Sequence, residues 1–247
     1  MNEVYIQEAQ PEHADEIWKI IQTSFVGAHS RYVATGQAGY RIYLEERLRA
    51  KRSNTKILVI ARIDKHVAAF ADVTLNHEGA NFLTRIAVAQ EFRGKGVVRQ
   101  MMRRIDEVYK SDCHWELDVL STNTGAIKMY ESLGFKTVSN RKWVGRLLPQ
   151  RVSHQRSHDR VESEDVNYAR YGFTNTWLQN RSISIAGTAV RCYDTSSFLD
   201  DVFLNQVQEK YPKIDRAFII LDVANKELYS CAEAFEIVRS HRMVGSF

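Results

Sequence analysis

Proline, glycine and cysteine are all scarce in this sequence. Its 247 residues include only 3 Pro and 12 Gly, which excludes collagen-like and Pro-rich disordered chains. The three cysteines, Cys113, Cys192 and Cys231, are odd in number and widely scattered. Because this arrangement fits neither a disulfide framework nor a zinc knuckle, we expect a reducing, cytoplasmic compartment and no metal.

Long apolar runs and a strong charge imbalance are lacking too. No run of about 18 apolar residues occurs, so we expect no membrane span, and the start MNEVYIQEAQPEH does not have the pattern of a signal sequence. Lys+Arg number 34 and Asp+Glu 30, giving a net charge of +4, which is too mild to indicate nucleic-acid binding by itself. The hydrophobic content of 44% is typical of a globular chain with one large core or two modest ones.

The spacing of apolar residues predicts the order β-α-α-β-β-β-loop-α-β-α-β for residues 1–149. The predicted strands are 4–9, 57–63, 67–75, 82–88, 115–120 and from 135 onward, and the predicted helices follow Pro11 and cover 41–51, 98–110 and 124–132. This order favours an α/β (α+β) domain with a mixed sheet and helices on both faces.

A second globular region follows a polar stretch. Residues 150–165 have no aromatic residue, which predicts a solvated linker. Residues 166–247 become apolar again and predict a smaller α/β domain. Its predicted strands are 182–189, 217–223 and 235–244, and its predicted helices are 198–211 and 225–234.

The two regions echo each other. Leu117-Asp118-Val119 matches Leu221-Asp222-Val223, and a predicted helix and strand follow each triplet. The strands share a frame: Phe135, Val138, Val144 and Gly145 against Phe235, Val238, Val244 and Gly245. Chance similarity and a degenerate second copy of half the first domain both stay open as interpretations. The second region lacks a glycine loop before its helix, so we expect no second cofactor site.

A basic loop with two glycines is the strongest functional signal. In FLTRIAVAQEFRGKGV, residues 82–97, a strand runs into Arg93-Gly94-Lys95-Gly96 and a helix starts at once. Glycines let the backbone approach a ligand, and the first N–H groups of a helix lack intrahelical partners. Such groups, at the positive end of the helix dipole, bind phosphate oxygens. The basic residues of 92–105 are Arg93, Lys95, Arg99, Arg103 and Arg104, with no acid among them, so we expect a polyphosphate ligand.

Two common phosphate-binding motifs do not fit this loop. A P-loop is longer and ends in Lys-Ser/Thr, and a dinucleotide fold needs Gly-x-Gly-x-x-Gly, whereas Arg99 stands at the third glycine position. The alternative is a turn that binds no ligand and whose charged side chains are simply solvated.

The loop resembles motif A of the GNAT superfamily of N-acetyltransferases, whose pattern is Gln/Arg-x-x-Gly-x-Gly/Ala. The stretch from Asn123 through Ala126 and Tyr130 to Gly134-Phe135 resembles motif B of the same family. Two positions depart from the pattern, because Glu91 replaces the expected Gln/Arg and Val98 stands where a small residue is common. The resemblance covers residues 1–147 and implies a GNAT-like, mostly antiparallel sheet.

The resemblance also implies acetyl-CoA as cosubstrate. Its pyrophosphate would bind the amides of Arg93, Gly94, Lys95, Gly96, Val97 and Val98. Its pantetheine arm would lie beside Ile86, Ala87 and Val88, where the fourth and fifth strands separate, with Asn123 and Ala126 facing it. Tyr130 would place its hydroxyl near the cofactor sulfur as general acid, and its bland alternative is an aromatic anchor.

Acetyl transfer to an amine also needs a proton acceptor, since an alkyl ammonium has a pKa of about 10. The predicted fourth strand, FLTRIAV, has no carboxylate. The candidate bases are Asp72, Glu78 or His77, and Asp118, each with a structural alternative, and deprotonation through water stays equally open. In the loop 25–40, Arg31, Tyr32, Gln37 and Tyr40 either recognise the acceptor or only pack.

Three function classes follow. The first is an acetyl-CoA-dependent N-acetyltransferase acting on a small molecule or a peptide, and the second is a catalytically silent acyl-CoA-binding or interaction module. The third is an RNA-facing protein, which the charge pattern does not favour, using Arg141, Lys142, Arg146, Arg151, Arg156 and Arg160. The region after 166 either packs on the first domain or pairs with another subunit as a homodimer.

Overall fold

A computed structural model describes residues 4–50, 53–76, 79–109, 113–149, 165–224 and 233–246. The chain forms two compact units, each built from separated segments. The first contains 1–26, 41–140 and 239–247, and the second contains 27–40 and 141–238. These bounds differ from the predicted 1–149 and 166–247, because residues 27–40 cluster with the second unit and residues 239–247 with the first. The predicted linker lies, up to residue 164, outside the described residues.

The first part of the chain follows the predicted order of elements. Its elements are β1 (Val4–Glu8), α1 (Ala14–Ser24), α2 (Tyr40–Arg49), β2 (Lys56–Ile63), β3 (His66–Thr74), β4 (Asn81–Val88), α3 (Val97–Tyr109), β5 (Trp115–Leu120), α4 (Thr124–Ser132) and β6 (Lys136–Leu147). Short 3-10 turns cover Pro11–His13, Ala28–Tyr32, Ala34–Gly36 and Gln90–Phe92.

The second part contains α5 (Val166–Tyr171), β7 (Phe173–Leu178), β8 (Arg181–Ala186), β9 (Ala189–Cys192), α6 (Thr195–Leu199), α7 (Asp201–Lys210), β10 (Arg216–Asp222) and β11 (Phe235–Gly245). Most of the predicted helix 225–234 lies outside the described residues. No helix in the described part of the chain is long and apolar enough to cross a membrane.

The first unit is a mixed, mostly antiparallel sheet. Strands β1 to β4 pair antiparallel in chain order, β5 pairs parallel with β4, and residues 240–245 of β11 pair antiparallel with β5. Successive side chains of a strand point to opposite faces. Accordingly, Ala71 and Val73 of β3 join the core under α3 with Met101, and Phe70 meets the ring of Phe25 after α1. The prediction of helices on both faces is confirmed.

The second unit repeats part of this arrangement. Strands β7, β8 and β9 pair antiparallel, β9 pairs parallel with β10, and residues 141–147 of β6 pair antiparallel with β10. Helices α6 and α7 connect β9 to β10, as α3 connects β4 to β5. Phe198, Phe203 and Val207 of these helices are fully buried in its core.

Two predicted elements of the second region were wrong, and one strand was missed. The predicted strand 182–189 is two strands, because Gly187 takes a left-handed φ of 57° and reverses the chain. The predicted helix 198–211 is two helices, because Asp200 adopts an extended conformation and caps α7. Strand β7 lies where no element was predicted.

The strand pairing of the two units differs by one residue from the match between their sequences. Asp118 of β5 lies opposite Arg242 of β11. The last strands of the two regions match at an offset of 100 residues, so the counterpart of Arg242 is Lys142. Lys142 lies opposite Leu221, whereas the matching triplets would place it opposite Asp222. The echoed glycines behave alike in the two units. A Cβ on Gly245 would meet Phe135, and a Cβ on Gly145 would meet Phe235.

Candidate active site

The turn after β4 keeps its two glycines open to solvent. Gly94 and Gly96 have φ values of 74° and 72°, in the left-handed region that side chains other than glycine disfavour. A Cβ built on either residue would have no heavy atom within 4 Å. The two glycines are therefore required by backbone conformation, and the space above them is free of the protein's own described side chains.

Helix α3 begins directly after this turn, at Val97. Gln100 donates its N–H to the carbonyl of Gly96 at 3.2 Å. The N–H groups of residues 97–99 come before this first helical hydrogen bond, so they have no partner within the helix. Arg93 folds back, and its Nε donates to the carbonyl of Val88 at 3.1 Å. Lys95 places its Nζ 5.2 Å from the ring centre of Phe92. The result is a positively charged concave turn at a helix start, which suits a phosphate.

A gap opens between β4 and β5 beside the turn. Their parallel pairing ends at Leu83 opposite Leu117, although the strands continue to Val88 and Leu120. On its other side, β4 stays paired with β3 as far as Val88. Ile86, Ala87 and Val88 therefore border a gap on the β5 side, where a ligand can reach the main chain.

Helix α4 starts at a capped turn and carries Tyr130. The Asn123 Oδ1 accepts a hydrogen bond from the N–H of Ala126 at 3.2 Å. The Tyr130 ring is 5% exposed, belongs to the core under α3, and lies 5.7 Å from the ring of Phe135. Burial raises the pKa of the Tyr130 hydroxyl well above its usual value. Tyr130 thus packs in this core, and its hydroxyl keeps its proton.

Asp72 lies on β3 and is held by two arginines. Its two carboxylate oxygens accept from both terminal nitrogens of Arg47 at 2.8 Å, and Arg85 donates to one of them at 2.9 Å. The side chain of Asp72 is 6% exposed. Its surroundings are those of a structural ion pair that connects α2, β3 and β4.

Asp118 lies on β5, one residue past the last β4–β5 pair. Both of its oxygens accept from Arg242 of β11, at 2.7 and 2.9 Å, and Arg242 also donates to Glu116. These carboxylates raise the pKa of the Arg242 guanidinium, Asp118 most strongly. Sequence reasoning missed Arg242, because it follows Asp118 by 124 positions and no local pattern marks it.

The remaining predicted site residues lie elsewhere. Glu78 and His77 are outside the described residues. Tyr32 and Tyr40 are buried within the second unit, where Tyr32 packs edge-on to Phe218 and Tyr40 packs near Phe173. Gln37 donates to the carbonyls of Arg31 and Val33. For Tyr32, Tyr40 and Gln37, these contacts favour the packing role.

Comparison with known families identifies the region that contains this turn. The model of the Acetyltransferase (GNAT) family matches residues 14–135. That segment belongs to the GNAT family. The match contains the glycine turn, the β4–β5 gap and Tyr130, so the resemblance to this family is confirmed.

Two solved structures share the GNAT fold over nearly the whole chain. A proposed acetyltransferase from Pyrococcus horikoshii is 13% identical with a TM-score of 0.63, covering 99% of this chain and 90% of its own. A GCN5-related N-acetyltransferase from Sphaerobacter thermophilus is 12% identical with a TM-score of 0.58, covering 98% and 95%. Curated proteins give no significant match. The GNAT fold thus extends beyond the segment that the family model matches.

Proposed function

We propose that this protein is an acetyl-CoA-dependent N-acetyltransferase that acts on a primary amine of a small molecule or a peptide. The open turn at Gly94 and Gly96, leading directly into α3, carries the proposal. It combines unpaired amides, positive charge and free space, which a diphosphate needs. A cytoplasmic location would agree with this cosubstrate.

Each part of the site has a task in this proposal. Acetyl-CoA supplies the thioester acetyl group when it is bound. The Arg93 N–H already donates to the carbonyl of Gln90 at 3.3 Å, so the amides from Gly94 to Val98 bind its diphosphate, and the β5-facing main chain of Ile86–Val88 orients its pantetheine arm. Asn123 and Ala126 form the start of α4 beside that arm. In this proposal the Tyr130 hydroxyl, which burial keeps protonated, donates its proton to the leaving thiolate.

Deprotonation of the acceptor amine is assigned to water rather than to Asp72 or Asp118. Each of these carboxylates already accepts hydrogen bonds from arginine on both oxygens. To take a proton from an amine, either group would give up a hydrogen bond to a charged partner, each worth about 1.5–3 kcal/mol.

The change Gly94→Glu tests the phosphate site. It puts a carboxylate where the diphosphate would bind, and like charges in contact cost several kcal/mol. We expect acetyl-CoA affinity to fall at least about a hundredfold, equivalent to about 3 kcal/mol, when measured by isothermal titration calorimetry.

The control for backbone strain is Gly172→Ala. Gly172 has a φ of 76°, close to that of Gly94, but belongs to the second unit. The strain of a left-handed alanine, about 1–2 kcal/mol, should appear in the free energy of unfolding, with acetyl-CoA affinity unchanged. Absence of acetyl-CoA binding by the unmodified protein would refute the proposed function.

A silent acyl-CoA-binding module is the second candidate, favoured by the arginine pairing of Asp72 and Asp118. A thiol-release assay with acetyl-CoA and a panel of primary amines separates the two candidates. Release that is lost in Tyr130→Phe, while calorimetric binding is kept, supports the enzyme. Binding without release for every amine supports the silent module.

One of the six basic residues considered for RNA binding is not available to a nucleic acid. Arg146 is 8% exposed, pairs with Asp201 at 2.7 Å and stacks on Phe198 at 5.5 Å, so it does not face a phosphate backbone. Arg151, Arg156 and Arg160 lie outside the described residues.

For the second unit, we propose a degenerate copy of the second half of the GNAT domain that binds no cofactor. The succession of antiparallel, antiparallel and parallel pairs supports this interpretation, as do the matching Gly145 and Gly245 contacts. At the helix start that corresponds to the glycine turn, the protein's own Asp194 accepts hydrogen bonds from the N–H and hydroxyl of Ser197. A side-chain carboxylate thus occupies the position that an anionic ligand would take.

A further inference from the structure

Strand β7 ends the sheet of the second unit and lacks the charge, proline or bulge that usually protects a terminal strand. It pairs with β8 in unbroken register from Phe173 to Leu178. Within the described residues, no strand pairs along its other edge. The segment FTNTWL contains no charge and no proline. Natural proteins usually blunt such an edge with lysine, proline or a bulge, because unpaired N–H and C=O groups template pairing with another chain.

An exposed tryptophan lies on this strand. Trp177 is 68% exposed and lies opposite Ser182 of β8. Asn175, two residues earlier on the same face, is exposed as well. A large aromatic ring beside an open strand edge is typical of a surface that another strand covers.

The order of residue types identifies the occupant. About Asn175 the strand reads the same in both directions by residue class: Phe173-Thr174-Asn175-Thr176-Trp177. Antiparallel pairing of two copies about Asn175 places Trp177 opposite Phe173, each Thr opposite a Thr, and Asn175 opposite itself. Aromatic and Thr–Thr cross-strand pairs stabilise sheets by about 0.2–1 kcal/mol each.

We propose that the protein forms a two-fold symmetric homodimer in which β7 pairs antiparallel with β7 of a second copy. The Phe173 ring already packs near Tyr40 and Tyr171, with ring centres 5.9 and 5.7 Å apart. The incoming Trp177 of the second copy therefore meets an ordered aromatic edge rather than a lone side chain. Because β7 carries no charge, the symmetric pairing juxtaposes no like charges.

The change Asn175→Lys tests the register as well as the surface. In the dimer it brings two ammonium groups together across the axis, where Cβ atoms of paired residues lie about 5 Å apart. We expect the dimer dissociation constant to rise about tenfold or more. Sedimentation velocity from about 1 to 100 μM, the range in which small interfaces dissociate, measures it.

A charge-swapped pair gives the decisive result. Asn175→Asp alone should also weaken the dimer, whereas an equimolar mixture of Asn175→Lys and Asn175→Asp should restore association, because opposite charges then meet. The matched control is Tyr5→Lys on β1, the terminal strand of the first unit, where Tyr5 is 62% exposed and dimerisation should persist.

Three results would overturn the proposal: a monomeric unmodified protein throughout that range, an Asn175→Lys dimer of unchanged affinity, or no association in the mixture. Circular dichroism verifies that each variant is folded, and Trp177→Lys replaces Asn175→Lys if the latter does not fold. Since the assay needs no cofactor, its outcome is independent of the proposed acetyl transfer.

Discussion

The carboxylate of Asp72 lies between Arg47 and Arg85, and that of Asp118 is held by Arg242. Both were candidates for the general base because an acid on a strand near the expected cofactor gap is chemically suitable. Their arginine partners connect them to α2, β4 and β11 beside the gap. In the proposed reaction, proton transfer therefore depends on Tyr130 and on water.

Tyr130→Phe gives a prediction in the alkaline range. Burial raises the pKa of Tyr130, so the folded protein keeps a proton that the unfolded chain loses near pH 10. Above that pH the unfolded state binds fewer protons, and the free energy of unfolding falls as the pH rises. We expect this fall to be shallower in Tyr130→Phe, measured by urea unfolding at pH 8, 10 and 11.

Tyr211 provides the comparison in the second unit. Burial and the hydrogen bond to Asp165 raise the pKa of Tyr211 too. Tyr211→Phe should therefore also make the alkaline fall in unfolding free energy shallower, independently of Tyr130. An alkaline slope in Tyr130→Phe equal to that of the unmodified protein would contradict the buried, protonated state of this hydroxyl.

At the scale of elements, helix α6 depends on the residue that directly precedes it. Asp194 caps the helix and accepts hydrogen bonds from Ser196 and Ser197. Burial by itself raises the pKa of Asp194, but these hydrogen bonds outweigh it and lower the pKa. The carboxylate therefore stays ionised in the folded protein at pH values where the unfolded chain takes up a proton.

Two variants of Asp194 separate the cap from its charge. Asp194→Ala should cost about 1 kcal/mol of unfolding free energy at pH 7, the usual value of a lost N-cap. The stabilising effect of the low pKa is present above about pH 4, the unfolded value, and is lost as the pH falls through the folded value. Asp194→Asn keeps an acceptor, so it should mainly flatten this acid loss, measured by urea unfolding from pH 7 to 3. An equally steep acid loss in Asp194→Asn would contradict the assignment.

Local chemistry explains which elements could be predicted from the sequence. The glycine turn, α3 and the start of α4 were predictable because glycine conformation, helix periodicity and an Asn cap each act within a few residues. Strand β7 was missed because three consecutive polar residues, 174–176, separate its two aromatics, so it shows no apolar alternation. The role of Arg242 was unpredictable, since its pairing with Asp118 depends on a strand register set far away along the chain.

At the scale of the whole molecule, segments of the two units alternate along the chain. Residues 239–247 belong to the first unit, to which Met243 adds a fully buried side chain and Arg242 its ion pairs. Conversely, residues 27–40 belong to the second unit, between two segments of the first. Neither unit is therefore an independent length of sequence.

Removal of residues 239–247 should destabilise the first unit. The truncation deletes the strand beside β5, a buried methionine worth about 2–5 kcal/mol and the partner of Asp118 and Glu116. We expect loss of cooperative unfolding and of acetyl-CoA binding, measured by circular dichroism and calorimetry. A matched internal change, Met243→Ala, should lower unfolding free energy while retaining the fold. Native-like stability of the truncated chain would refute this role of β11.

The late position of residues 239–245 affects how the nascent chain is handled. At a synthesis rate of about 5–20 residues per second, the ribosome needs roughly 5 to 20 s after residue 140 to produce them. During that interval the edge of β5 has no neighbour from β11, and its apolar side chains are accessible to chaperones and to other nascent chains. Translation speed through residues 141–238 thus sets how long the first unit stays unfinished during its own synthesis.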